Sequence, residues 1–364
     1  MVKILFDHQM FTLQRFGGIS RYFANIISNL KAKPDMAYKL GVVYSNNYYI
    51  QLEKKPLNNF FFKFVLRKTK KQIKWNNIYC KYLLKKNNFD VFHPTYFNPY
   101  FLKYLRKPFV LTVHDMIHEI LPEYFSPNSL EVYHKRLLIK KADHIIAISQ
   151  STKNDIQKLY HIPDDKITVI YHGYHKIKDF DDANFNITYK KYLLYVGDRN
   201  GYKNFTRFLE AFKQISDERI DIHLICVGGG NFTPYETELI KRLNIIDFVH
   251  QTAATDGELC KLYQNALLFI YPSLYEGFGL PILEAFQNKC PIAVSNTSCF
   301  KEVCGDAVVY FNPYNVAEIK NSIELVLSSN DLPNILRNNG LIQLEKFEMD
   351  TCLKKTLEVY KKLI

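Results

Sequence analysis

The sequence predicts an α/β protein built from two units of similar size, each with a parallel sheet covered by helices. Short runs rich in β-branched and aromatic residues alternate with longer amphipathic segments along the whole chain, which is typical of parallel sheets. A polar stretch at 176–184 has few residues that can pack, and it indicates a linker between two such halves. The length of 364 residues also favours two domains.

The first half is expected to hold one sheet whose strands are separated by amphipathic helices. Its helices include Arg21–Leu30, Ile73–Lys85 and Leu130–Lys141. Its expected strands are Val2–Phe6, Tyr38–Tyr44, Val91–His93, Phe109–His114, His144–Ile148 and Ile167–Tyr171. A helix capped by Ser149 or Ser151 should follow the fifth of these strands, because a serine hydroxyl can accept from the first free amides of a helix.

The second half restarts the same alternation at Tyr192. Its expected strands are Tyr192–Gly197, Ile222–Val227, Phe248–His250, Leu267–Tyr271, Ile292–Val294 and Val308–Phe311. Ligands of open parallel sheets bind outside the carboxyl ends of the strands. We therefore expect both halves to present those ends to one ligand cleft.

Cysteine usage argues against a disulfide framework, and hydropathy argues against a membrane-spanning protein. The seven cysteines are scattered and show no zinc spacing, which favours a reducing compartment. The apolar run Met1–Phe6 is too short for a signal peptide. No stretch reaches the roughly 18 apolar residues of a transmembrane helix. We expect a cytoplasmic protein, either soluble or peripheral on the cytoplasmic face of a membrane.

The net charge of +12 is concentrated in residues 51–90, where aromatic residues are interleaved with basic ones. Only Glu53 and Asp90 oppose this charge. The basic residues are Lys54, Lys55, Lys63, Arg67, Lys68, Lys70, Lys71, Lys74, Lys81, Lys85 and Lys86, and the aromatic ones include Phe60, Phe61, Phe62, Phe64 and Trp75. The segment is expected to bind an anionic membrane surface. Nucleic acid is an alternative partner for such a segment, but it is not expected here. A second alternative is that the segment binds no partner and forms a solvated helix face with its aromatic residues in the core.

Residues 271–286 contain the most informative motif of the chain. Glu276 and Glu284 lie eight residues apart, on either side of a glycine loop that opens a helix. Gly277 and Gly279 allow a sharp turn and a close approach of ligand to backbone, and Pro281 suits a first helical turn. Free amides at the helix start favour an anion, while carboxylates accept from hydroxyls. The motif therefore suits a sugar joined to a diphosphate.

This stretch resembles the E-x7-E signature of retaining, nucleotide-sugar-dependent glycosyltransferases of the GT-B fold, in family four of that class. The resemblance implies two Rossmann-like domains whose parallel sheets face a central cleft. It implies an acceptor-binding domain over 1–175, a nucleotide-sugar-binding domain over 190–345, and a last helix within 346–364 that packs back on the first domain. It also implies no cofactor and no essential metal, because the nucleotide diphosphate sugar is a co-substrate.

The resemblance assigns roles residue by residue. The expected catalytic residues are Glu276, His114, Lys203 and Arg199, of which Lys203 and Arg199 are expected to stabilise the leaving phosphates. The expected nucleotide-sugar-binding residues are Gly17, Gly18, Gly197, Gly228, Val249, Gly277, Phe278, Gly279, Leu280 and Glu284. Glu284 is expected to accept from the ribose, and Val249 is expected at the carboxyl end of its strand. The chain departs from the family at Asp198, where an arginine is usual, and at His172, where an asparagine is usual. His93 and His118 are expected to be structural, and the D-x-D sequence at 179–181 to face solvent.

The expected function is transfer of a hexose to a hydroxyl of a lipid-linked or growing surface glycan. At subfamily level the sequence resembles bacterial O-antigen and capsule transferases, which favours mannose from GDP-mannose and leaves a UDP-sugar as the alternative donor. Two other functions stay open at this stage. One is a nucleotide-sugar epimerase on the same fold, and the other is a non-enzymatic basic protein that binds nucleic acid or membrane.

Overall fold

The computed structural model describes residues 1–53, 55, 56, 66, 68–174 and 189–364. These residues form two compact units. The first unit consists of Met1–His172 together with Asp350–Ile364, and the second consists of Gly173–Met349. The linker expected at 176–184 and its D-x-D sequence lie outside the described residues, as do Phe60, Phe61, Phe62 and Phe64 of the basic segment.

The first unit contains parallel strands close to those expected. They are β1 (Val2–Phe6), β2 (Met36–Leu40), β3 (Val91–His93), β4 (Val110–Val113), β5 (His144–Ala147) and β6 (Ile167–Val169). Their pairing orders are β2-β1-β3 and β4-β5-β6, and a parallel bridge between Phe92 and Phe109 joins β3 to the start of β4. Strands β3, β4 and β5 are buried along their whole length, as parallel strands covered on both faces should be.

One strand differs from the expectation. The predicted strand Tyr38–Tyr44 is wrong in its second half, because β2 ends at Leu40. The side chain of Asn76 replaces the sheet beyond that point: its Oδ1 accepts from the amides of Val43 at 2.7 Å and Tyr44 at 3.2 Å. A buried side-chain amide thus satisfies backbone groups that a neighbouring strand would otherwise bind.

The helices of the first unit cover its strands, and the C-terminal helix belongs to the same unit. They are α1 (Gln9–Leu13), α2 (Gly18–Leu30), α3 (Thr69–Lys86), α4 (Ile117–Ile120), α5 (Glu131–Lys141), α6 (Gln150–Tyr160) and, at the end of the chain, α14 (Met349–Lys362). Ser149 caps α6 as predicted, since its Oγ accepts from the amide of Thr152 at 3.0 Å. The hydroxyl of Tyr360 on α14 lies 2.6 Å from Nδ1 of buried His93, which anchors α14 to β3.

The second unit is a parallel sheet in the order β12-β11-β10-β7-β8-β9. Its strands are β7 (Tyr192–Val196), β8 (His223–Val227), β9 (Val249–Thr252), β10 (Leu268–Tyr271), β11 (Ile292–Ser295) and β12 (Val309–Phe311). Its helices are α7 (Phe205–Glu218), α8 (Pro234–Arg242), α9 (Asp256–Asn265), α10 (Leu280–Gln287), α11 (Phe300–Cys304), α12 (Val316–Ser328) and α13 (Leu332–Leu344). The strand order reverses between β7 and β10, which is the point where such sheets bind ligands.

Candidate functional site

The loops that follow β7 and β10 meet at this switch point of the second unit. The first loop carries Lys203 and the second carries Glu276. The amide of Leu274 donates to the carbonyl of Tyr202 at 2.8 Å, which fastens the two loops to each other. The strand order therefore brings together two predicted catalytic residues that are 73 positions apart in the chain.

Lys203 and Glu276 form an ion pair, with Nζ at 2.5 Å from Oε1 and each side chain only 14% exposed. Burial alone would lower the pKa of Lys203, but the Glu276 carboxylate outweighs it, so that the pKa is raised. The Lys203 ammonium also lies 5.6 Å from the ring centre of Tyr271. Burial and then the negative charge of Glu276 raise the pKa of the Tyr271 hydroxyl. The site thus holds a lysine cation at neutral pH.

The backbone of Glu276 is fixed by residues that sequence reasoning missed. The amide of Glu276 donates to Oγ of Ser298 at 3.2 Å, and Sγ of Cys299 donates to the Glu276 carbonyl at 3.2 Å. Ser298 has a φ of 44°, a left-handed conformation that costs free energy outside glycine. The available signal was the position of Ser298 and Cys299 just after buried β11, which is the neighbour of β10 in the sheet.

The start of α10 offers amides to an anion. Gly279 precedes the helix with a φ of 95°, and a Cβ there would lie 2.9 Å from Ile282 and 3.2 Å from Tyr271. Within the described chain, the amides of Gly279 and Leu280 donate to no other group. Only glycine fits this turn, and it leaves two donors at the positive end of the helix dipole.

The remaining residues of the motif divide between packing and polar contact. The ring of Phe278 is buried and packs edge-on against Phe347, with centroids 5.5 Å apart. Its neighbour Gly277 is also buried. Glu284 lies in α10, and its Oε2 accepts from the hydroxyl of buried Tyr263 at 3.4 Å. That bond orients the carboxylate predicted to accept from a ribose.

Arg199 lies beneath the glycine loop that follows β8. Its guanidinium donates to the carbonyls of Gly228 at 2.8 Å, Gly230 at 2.9 Å and Asn231 at 3.1 Å, and its Nε donates to Glu236 at 2.9 Å. The side chain is only 3% exposed. These bonds make Arg199 a support of the loop, and its direct contact with leaving phosphates stays a prediction.

Gly197 and Val249 were also predicted to bind the donor, and only Gly197 lies where it was expected in its strand and loop. Gly197, with a φ of 132°, follows β7 and has open space where a Cβ would lie, as expected for a backbone that a ligand approaches. Val249 was expected at the carboxyl end of its strand, and this is wrong. It is the first residue of β9, which ends at Thr252, and its side chain packs in the core. The short apolar run at 248–250 is the strand's beginning, because more polar residues continue the pairing with β8.

In the first unit, His114 follows the carboxyl end of β4, and only 6% of this residue is exposed. Its Nε2 has no hydrogen-bond partner within the described chain, an arrangement that costs about 1–3 kcal/mol unless a ligand supplies one. Burial lowers the pKa of His114 to about 4, so the ring is neutral at physiological pH. Its neighbours include Tyr22 and His172, the latter nearly parallel with centroids 5.9 Å apart.

The predicted glycine loop of the first unit lies beside an exposed aromatic pair. Gly17 precedes α2, which begins at Gly18. The rings of Phe16 and Tyr48 have centroids 5.1 Å apart and are 56% and 48% exposed. The amide of Tyr48 donates to the carbonyl of Arg15 at 2.9 Å, and the Arg15 guanidinium carbon lies 5.4 Å from the Phe16 ring centre. We call Arg15, Phe16 and Tyr48 the aromatic platform.

Of the two histidines expected to be structural, His93 has partners for both ring nitrogens, whereas Nδ1 of His118 has none in the described part of the chain. His93 contacts the Tyr360 hydroxyl through Nδ1, and its Nε2 lies 2.9 Å from Oγ1 of Thr112. His118 lies 3.6 Å from a carboxylate oxygen of Glu131. No group of three potential metal ligands among His, Cys, Asp and Glu occurs in the part of the chain that the structure describes. The expected independence from metal stays a prediction.

Comparisons with known proteins divide the chain as the fold does. The family described as "Glycosyltransferase Family 4" matches residues 16–176. The family described as "Glycosyl transferases group 1" matches residues 177–342. The two matches adjoin, and the second contains the whole Lys203–Glu276 site.

Individual relatives that are named mannosyltransferases agree with these family matches. O-antigen chain mannosyltransferase B of Escherichia coli is 29% identical over 272 residues, which are 70% of this chain and 70% of that protein. O-antigen chain mannosyltransferase RfbU of Salmonella typhimurium is 30% identical over 229 residues, 58% of this chain and 63% of that protein. The solved structure of sucrose-phosphate synthase from Thermosynechococcus elongatus has a TM-score of 0.78 at 17% identity, over 100% of this chain and 99% of that one.

The two family matches, the parallel sheets of both units and the likeness to solved structures agree with the motif around Glu276. The fold expected from the sequence is confirmed. This chain belongs to the family-four glycosyltransferases of the GT-B fold.

Proposed function

We propose that this chain is a retaining mannosyltransferase that moves mannose from GDP-mannose to a hydroxyl of a lipid-linked or growing surface glycan. The observation that carries the proposal is the buried ion pair of Lys203 and Glu276, 2.5 Å apart at the switch point of the second sheet. The choice of sugar and glycan draws on two relatives that are named O-antigen chain mannosyltransferases.

The leaving diphosphate would be held by charge and by backbone. The Lys203 cation, whose pKa is raised by Glu276, offsets negative charge as it develops on the leaving phosphate. The amides of Gly279 and Leu280 donate to phosphate oxygens at the start of α10. Preorganised groups of this type supply much of the rate enhancement of many enzymes. Because they supply the positive charge, the proposed reaction needs no divalent metal.

The sugar would react on the face from which the diphosphate departs. The bond between the sugar's anomeric carbon and the phosphate oxygen breaks, and the acceptor oxygen forms its bond on the same side. The acceptor proton passes to the departing phosphate oxygen. Glu276 accepts from sugar hydroxyls and stabilises the cationic transition state. Within the first unit, the unpaired Nε2 of neutral His114 is available to a hydroxyl of a ligand.

Donor identity is tested by a thermal-shift panel of GDP-mannose and the corresponding UDP-, ADP- and dTDP-sugars. GDP-mannose should raise the melting temperature most, because we expect it to bind most tightly. A ligand at about 100 times its Kd stabilises the native state by about 2.7 kcal/mol. Glu284→Ala should reduce this shift, since it removes the expected ribose contact. Glu238→Ala, an exposed carboxylate on α8, should not.

The panel and a product analysis separate the alternatives. A response to UDP-sugars alone would replace the donor and keep the class of reaction. Conversion of the nucleotide sugar without any acceptor would favour the epimerase. A panel with no response from any nucleotide sugar would refute the donor site itself.

We further propose that the aromatic platform holds the acceptor glycan. The C–H face of a pyranose ring packs on aromatic rings. Phe16 and Tyr48 are both exposed, and the backbone hydrogen bond from Tyr48 to Arg15 fixes the two loops to each other. Replacing Phe16 or Tyr48 with alanine should raise the KM for acceptor about tenfold, as expected for a loss of about 1.4 kcal/mol. The affinity for donor should change less than the KM for acceptor, because neither ring is among the residues expected to bind the nucleotide sugar. Equal kinetics of both variants and wild type, with a glycan acceptor, would exclude the platform.

A further inference from the structure

The buried face of α3 mixes polar and apolar side chains. Gln72 and Asn76 lie on it together with Cys80, Leu83 and Leu84. Asn76 binds the backbone of 43–44, and its Nδ2 donates to Oγ1 of Thr12 at 2.9 Å. A helix on a protein surface normally buries its apolar face. In α3, large apolar side chains also lie outside the buried face, which indicates that the outer face has a role other than packing.

That outer face carries large apolar side chains. Trp75 is 46% exposed, Ile78 is 50% exposed and Tyr82 is 55% exposed. Their spacing of three and four residues places them in one row along the helix. Tyr82 also lines an open cavity of about 1020 Å³ together with Leu52, which is 95% exposed. The alternative in which the aromatic residues of the basic segment lie in the core is therefore wrong for Trp75 and Tyr82.

Lysines frame this apolar row on both sides. The sequence of α3 contains six lysines and no acidic residue. By helical spacing, four of them flank the row of Trp75, Ile78 and Tyr82. They are Lys71, Lys74, Lys85 and Lys86. An anionic partner is therefore favoured over a neutral one.

We propose that Leu52, Trp75, Ile78 and Tyr82, with the flanking lysines of α3, form a docking surface for an anionic lipid bilayer. Aliphatic and aromatic side chains enter the interface between headgroups and acyl chains, while lysines bind the headgroups. Bases of a nucleic acid stack on aromatic rings but gain little from Leu52 and Ile78. Across the described ranges, no helix has the length and hydropathy to cross a bilayer, so the contact is with its surface.

The protein carries its own probe for this test, because Trp75 is the only tryptophan of the chain. Full-length protein is mixed with vesicles of phosphatidylcholine alone or with added phosphatidylglycerol, and tryptophan emission and co-sedimentation are measured. Only the anionic vesicles should bind the protein and move the emission to shorter wavelength. Added salt should weaken the binding.

Variants locate the contact without removing the probe. Ile78→Glu and Tyr82→Glu should each abolish the emission shift, whereas Ile342→Glu, at an exposed apolar position on α13, should leave it unchanged. Lys71→Gln and Lys74→Gln should each weaken binding about fivefold. The proposal fails if anionic vesicles do not bind, or if they bind with Trp75 emission unaltered. It also fails if a single-stranded oligonucleotide moves the emission while vesicles do not.

Discussion

Replacing Glu276 with glutamine is expected to lower turnover by about 100-fold or more. The substitution keeps the shape of the side chain and removes the charge that stabilises a cationic transition state. It also removes the group that raises the pKa of Lys203 against burial, so the lysine holds its proton less firmly. The measurement is the rate of glycan product formation at saturating donor and acceptor.

Two controls give this result its meaning. Glu284→Gln removes a carboxylate from the same motif but from the expected ribose site, so it should raise the KM for donor more than it lowers turnover. Glu238→Gln should leave both unchanged. Thermal unfolding of Glu276→Gln shows whether the second unit stays folded. Turnover close to wild type in a folded Glu276→Gln protein would remove Glu276 from the chemistry.

Replacing Lys135 with methionine is expected to destabilise the first unit by about 3–5 kcal/mol. The Lys135 side chain is 0% exposed, and its Nζ lies 3.0 Å from a carboxylate oxygen of Glu119. It also donates to the carbonyl of Asp115, next to His114, at 3.2 Å. Methionine would fill much of the space but leave a buried carboxylate without its counter-charge. Denaturant unfolding followed by Trp75 emission reports on this unit, because α3 belongs to it.

The paired substitutions separate charge from packing. Lys141→Met, at an exposed position on the same helix, should change the free energy of unfolding little. The double change Lys135→Met with Glu119→Leu should recover much of the lost stability, because apolar residues often replace a buried ion pair without net cost. Full stability of Lys135→Met alone would show that the buried pair contributes nothing. A double variant no more stable than the single one would point to packing instead.

The sheets were largely predictable because buried parallel strands leave a strong signal. Continuous apolar runs such as Val110–Leu111 and Ile292–Val294 are expected to be buried, and polar segments separate such runs. The errors arose where a distant residue decided the local structure. Strand β2 ends early because Asn76 takes the amides of Val43 and Tyr44.

The candidate site was predictable only where its residues are close in sequence. Glu276, Gly279 and Glu284 lie in one motif that can be recognised in the sequence, and Lys203 is identified by the resemblance to the family. Long-range packing supplies the rest. Nothing local in the sequence shows that Ser298 binds the amide of Glu276, or that the donors of Arg199 are occupied by a loop about 30 residues away.

The charge of α3 was visible in the sequence, but its orientation was not. A helix with lysines all round and apolar residues on two sides has no strong periodicity to show which face is buried. Asn76 determines which face of α3 is buried, because its four hydrogen bonds join it to the interior of the first unit. Trp75 is left on the outside as a consequence.

Calorimetric titration of GDP-mannose into wild type and Lys203→Met tests most directly whether the pair at the switch point holds a nucleotide sugar. Loss of a charged hydrogen bond to phosphate should weaken binding about tenfold or more. Lys213→Met, at a half-exposed lysine of the same unit, should bind as wild type does. Equal affinity of wild type and Lys203→Met for GDP-mannose, or no binding by either, would contradict the account.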